Sequence, residues 1–100
     1  MRIRILFFDG CPHLAATEAR VEAVVASLAS DAEIQLVRIE SADDARRHRF
    51  LGSPTVQIDG VDIEPEARAR TDFVLGCRLF GSAGIPPAAM IAAAIREAGR

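Results

Sequence analysis

Phe7-Phe8-Asp9-Gly10-Cys11-Pro12-His13-Leu14 is the stretch on which the reading of this chain turns: an apolar run stops at Asp9-Gly10, and a cysteine opens the next segment. Upstream, Ile3, Ile5 and Phe7 alternate with Arg4, Leu6 and Phe8, the pattern of a strand whose end is buried on both faces. Downstream, Leu14, Val21, Val24, Val25 and Leu28 recur at helical spacing, which predicts an amphipathic helix over residues 12–29. Cys11 then stands on a strand-to-helix turn. Its sulfur lies near backbone N–H groups that have no acceptor within the helix and carry the positive end of its dipole. That setting favours thiolate over thiol. Pro12 suits the first helical position, where its fixed φ is already helical and its missing N–H leaves no bond unmade.

Working outward, residues 32–39 carry Ile34, Leu36, Val37 and Ile39 and read as a second strand. Strand, helix and strand in succession imply a right-handed β-α-β unit with its two strands parallel. Ser41 followed by Asp43 and Asp44 has the form of a helix start, a serine cap with acids in the first turn. Arg46, Arg47, His48 and Arg49 stand at the other end of this short helix. They match its exposed carbonyls, with anion or partner binding as the alternative, and Gly52 is the stop signal. Val56-Gln57-Ile58 and Val61-Asp62-Ile63 are joined by Asp59-Gly60, a hairpin signature, because a type I′ turn needs φ > 0 at both central residues. Residues 64–84 are weakly patterned: 66–73 read as a short polar helix, and 77–80 as a short extended segment between Gly76 and Gly81. Pro86-Pro87 opens a last helix with Ile91, Ala92, Ile95 and Ala98 as its inward stripe and Gly99 at its end. The predicted order is β-α-β-α-β-β-α: an α/β domain with a four-stranded mixed sheet and helices on both faces. Residues 1–100 form one domain, with an irregular insertion at 64–84.

Half of the 100 residues are apolar, enough for one core without disulfide staples. The net charge is −2 and all twelve basic residues are arginine, so the basic footprint that nucleic acid or an anionic membrane requires is missing. Cys11 and Cys77 are too few for a secreted disulfide scaffold and lack the spacing of a structural zinc site, and a cytoplasmic setting with free thiols fits them best. The apolar run before Asp9 is shorter than a secretory core and no small-residue cleavage site follows it. No run approaches the roughly 20 apolar residues of a spanning helix. With no phosphate-cradling glycine loop and no dinucleotide fingerprint, no cofactor is implied.

The element order, with a cysteine at the head of the first helix and an X-Pro-Thr opening the third strand, resembles the thioredoxin-like superfamily. Cys11-Pro12-His13-Leu14 stands where that family has its C-x-x-C, and Ser53-Pro54-Thr55 where it has its cis-proline. The resemblance implies a thioredoxin-like fold in which Pro54 is cis and lies against a nucleophilic Cys11. Pro12 and Pro54 line the substrate site, and the backbone of Ser53 pairs with a bound peptide or thiol. The match breaks at Leu14, where a dithiol exchanger has the cysteine that releases its mixed disulfide. Three routes follow: Cys11 is a monothiol resolved by a small thiol, Cys77 resolves it, or the domain is a binding module without redox chemistry. The implied partner is a protein or a small-molecule thiol.

His13, two residues past Cys11, would stabilise a thiolate as an imidazolium; its alternative is an exposed first-turn residue without a task. Asp9 is a turn residue that bonds its own backbone, or a proton acceptor for the thiol. Cys77 is either a small core residue or a second thiol brought near Cys11 by the loop that carries it. A narrower resemblance, on the Gly-Cys-Pro turn, the Gly-Ser-Pro-Thr segment and the late Cys-Arg pair, is to small chains related to alkylmercury lyases. Two thiolates facing one pocket would suit a soft metal cation.

Overall fold

Ile3, Ile5 and Leu6 have no exposed surface, because β1 (Arg2–Phe7) runs through the middle of the sheet. The computed structural model describes residues 1–81 and 83–99. On one side β1 pairs in parallel with β2 (Glu33–Arg38), Ile5 opposite Leu36. On the other it pairs antiparallel with β3 (Thr55–Ile58), Ile5 opposite Val56. The chain then turns at Asp59 (φ 50°) and Gly60 (φ 84°), the expected hairpin, into β4 (Val61–Asp62). The sheet order is β2-β1-β3-β4, four strands of mixed direction.

Strand alternation divides the interior between two faces. Ile3, Ile5, Val56 and Ile58 face α1 (Leu14–Ser27), through Val21 and Val24, and a C-terminal helix (Ala88–Ala98), through Ile91, Ala94 and Ile95. Leu6 faces the other way and packs with Ile39, Phe50 and Ala45, the last from α2 (Ala42–Arg47). We number the C-terminal helix α3. Helices thus cover both faces, and β1 supplies both cores; each such side chain stabilises the fold by about 1.5–3 kcal/mol on full burial.

Ser41 caps α2 as expected, its Oγ accepting the Asp44 N–H at 3.1 Å. Arg46 and Arg47 pair with Asp43 and Asp44 one turn back and serve the helix surface, whereas Arg49 of the same cluster reaches the Arg68 carbonyl and lies over the Phe73 ring. Gly52 is not the stop. Arg49, at φ 55°, closes the helix, and Phe50 N–H reaches back to the Ala45 carbonyl at 2.8 Å. The first helix ends in the same way: Ala29 at φ 50°, with Ser30 N–H on the Val25 carbonyl at 3.0 Å. Both are Schellman closures, which favour glycine at the left-handed position. Neither has one; the first end still falls close to the expected residue 29, while for the second a glycine-based reading puts the stop at Gly52, three residues late.

The described residues between 64 and 84 are irregular, as expected, but the polar helix predicted at 66–73 reduces to a single 3-10 turn, Pro65–Ala67. Within 77–80, Cys77 makes one parallel bridge to Ser53. In α3 the inward stripe is Ile91, Ala94 and Ile95; Ala98 is exposed at the rim of an open groove between the helix and the hairpin. Among the described residues no helix is long and apolar enough to cross a membrane.

Candidate functional site

After β1 the chain reverses through two turns that share Cys11. The first is closed by Cys11 N–H on the Phe8 carbonyl at 3.3 Å, with Gly10 at φ 84° in its third position, where glycine is favoured. The second is closed by Leu14 N–H on the Cys11 carbonyl at 3.5 Å, with Pro12 in its second position. This corrects the expected helix start. The proline's fixed φ is spent on the turn, so the helix begins at Leu14 with His13 as N-cap, and Cys11 lies outside the first helical turn. Cys11 is half-buried and Pro12 exposed.

His13 packs against Gly84: a Cβ placed on that glycine would lie 2.5 Å from the imidazole Nε2. The segment ahead of α3 therefore closes over the head of α1, a contact that no local signal announces. Asp9 pairs with Arg38 at 3.1 Å on the surface.

Beside the Cys11 turn, the Ser53–Pro54 peptide bond is cis. Ser53 Oγ accepts the Phe8 N–H at 3.4 Å, tying this segment to the start of the turn. The backbone of Ser53, expected to be offered to a bound segment, is taken by the chain itself. Its N–H donates to the Gly76 carbonyl at 2.7 Å, and its carbonyl accepts the Arg78 N–H at 3.0 Å. Residues 76–78 thus form a strap along Ser53, and Ser53 and Pro54 are buried. Gly52 makes room for the strap: a Cβ there would lie 3.0 Å from Arg78 Cβ and 3.1 Å from its nitrogen, and its φ of 117° also favours glycine.

The strap is anchored by Arg78, whose side chain is only 5% exposed. Its guanidinium donates to both oxygens of the equally buried Asp62, at 2.7 and 2.9 Å, to Glu64 at 3.0 Å and to Thr55 Oγ1 at 3.3 Å. Phe80 covers one face of the group, with its ring centre 4.5 Å from Arg78 Cζ. Burial alone would lower the pKa of Arg78; the hydrogen bonds and charges of Asp62 and Glu64 outweigh it and raise the value above that of a free arginine. The fork geometry is what makes such a buried pair tolerable, since two parallel bonds to Asp62 and a third bond to the second carboxylate, Glu64, replace the lost water.

Of the residues read from the sequence, Cys11, Ser53 and Pro54 converge at one end of the sheet, and Cys77 lies on the strap bridged to Ser53, with its side chain exposed. Both cysteines are free thiols. Missed were Gly52, Asp62, Glu64, Arg78 and Gly84. Arg78 did carry a signal, being a lone charge inside the run Cys77-Arg78-Leu79-Phe80, because a charge flanked by apolar residues is buried only if paired. Among the described residues no three His, Cys, Asp or Glu side chains gather as a metal site. Comparison with known proteins finds no matching family model, no matching curated protein and no matching solved structure.

Proposed function

We propose that this chain is a thioredoxin-like thiol protein in which Cys11 acts as the nucleophile of thiol/disulfide exchange. The observation that carries the reading is the setting of Cys11. It is a half-buried free thiol, held by two turns between a strand and a helix, whose turn is hydrogen-bonded to the residue preceding a cis-proline. The sheet order, with β3 antiparallel both to β1 of the parallel pair and to the edge strand β4, supports a thioredoxin-like assignment. In the reaction, the Cys11 thiolate attacks one sulfur of a disulfide R–S–S–R. A Cys11–S–S–R bond forms, the original S–S bond breaks, and RS⁻ leaves with the electron pair. A second thiolate then attacks the Cys11 sulfur of the mixed disulfide; a new S–S bond to Cys11 forms, the Cys11–S–S–R bond breaks, and the remaining R group leaves as RS⁻.

The test uses a Cys77→Ser variant, so that only Cys11 can react. The folded, reduced variant is exposed to glutathione disulfide and the adduct is located by peptide mass analysis. One glutathionyl group on Cys11, reversed by added thiol, is expected. A Cys11 that reacts only after unfolding would end the exchange reading.

A further inference from the structure

We infer that Cys77 is the thiol that resolves the Cys11 mixed disulfide, and that buried Arg78 is the positioning residue that holds it there; the inference rests on the exchange reading above. Leu14 leaves Cys11 without a neighbour in sequence to complete the reaction, so the resolving thiol must come from another part of the fold or from solution. Cys77 comes from another part of the fold. Ser53 is bonded on one side to the Cys11 turn through its Oγ and Phe8 N–H, and on the other to both residues that flank Cys77. Residues opposite each other in a bridge point to the same face of the sheet. Cys77 therefore leaves the strap on the side where Ser53 Oγ meets the Cys11 turn, and it is solvent-accessible.

A short, exposed strap would not by itself keep this register, since one isolated bridge contributes little. Arg78, the next residue, supplies the hold: two bonds to Asp62, one to Glu64 and a covering ring from Phe80, in a site that is nine-tenths buried. Gly52 lets the strap approach closely enough for the bridge to form. The chemistry balances. Attack of the Cys77 thiolate on the Cys11 sulfur forms a Cys11–Cys77 disulfide and expels RS⁻, so the protein's two thiols are oxidised as one external disulfide is reduced to two thiols. In physical terms the strap raises the effective concentration of one thiol at the other.

The experiment equilibrates the full chain in buffers of reduced and oxidised glutathione, quenches with acid, and quantifies dithiol, Cys11–glutathione adduct and internal disulfide by mass. The chain with Arg78 intact should pass through the Cys11 adduct and accumulate the internal disulfide. Arg78→Lys, which keeps the charge but loses the fork, should lower the effective concentration of Cys77 at least tenfold, raising the reduction potential of the couple by about 30 mV. Glu64→Gln keeps an acceptor but removes one partly exposed charge and should move it in the same direction by less; it serves if Arg78→Lys does not fold. A protein that stops at the Cys11 adduct overturns the assignment of Cys77. A potential unchanged in both variants, with only the unfolding midpoint lowered, overturns the positioning role of Arg78. Absence of any Cys11 adduct in Cys77→Ser is a different failure, that of the exchange reading, and removes this inference with it.

Discussion

Thr17 is the residue that most clearly breaks the usual rule for a core. It is fully buried on the inward face of α1, in line with Val21 and Val24, and its hydroxyl has no hydrogen-bond partner among the described residues. A buried polar group without a partner costs about 1–3 kcal/mol. Valine has nearly the same shape and a similar helix propensity. Thr17→Val is therefore expected to stabilise the fold by about 1 kcal/mol, read as a rise in melting temperature of roughly 4–8 °C. A drop instead would mean that the hydroxyl finds a partner in solution. The core stripe was legible at Val21 and Val24 from spacing alone; Thr17 was not, because its type suits a helix surface as well as a core. At Arg78 the lone charge was visible, but its partners Asp62 and Glu64 lie across a hairpin and a loop, and nothing local links them.

At the scale of elements, the two helix ends show how local chemistry and local geometry part company. Ala29 and Arg49 both adopt the left-handed conformation that costs a residue with a Cβ about 1–2 kcal/mol. At Ala29, an exposed site, the effect can be isolated. Ala29→Gly relieves the strain but adds freedom to the unfolded chain, and a net gain of roughly 0.5–1 kcal/mol is expected from a chemical-denaturation midpoint; a loss would show that the strain is negligible. The strand patterns were far more legible. β1 and β2 and the Asp59-Gly60 hairpin follow from alternation and from a turn that requires positive φ, and their pairing leaves little choice of register once one face is buried. The 66–73 helix failed because its residues carry no apolar stripe that any partner face could bury.

For the whole molecule, the Arg78–Asp62 pair is the tie between the irregular segment and the sheet. Removing one member of a buried ion pair leaves the other charge uncompensated and costs about 3–5 kcal/mol. A domain of this size has about 5–15 kcal/mol in total. Asp62→Ala is therefore expected to lower the denaturant midpoint by about a fifth of its value or more, with the strap released; a change of a few tenths of a kcal/mol would show that water replaces the carboxylate and that the pair is less buried than the geometry indicates. The single-cysteine motif, the X-Pro-Thr segment, the order of strands and helices and both covered faces of the sheet were determined by the sequence itself. Each depends on periodicity, on a turn residue, or on neighbours a few positions apart. Tertiary structure alone decided that Cys11 precedes the helix rather than heading it, that Ser53 bonds to the chain's own strap, and that Arg78 sinks against Asp62. Those outcomes depend on groups distant in sequence meeting in a space from which water is excluded, where the strength of a charge or a hydrogen bond is set by its surroundings and not by its place in the chain.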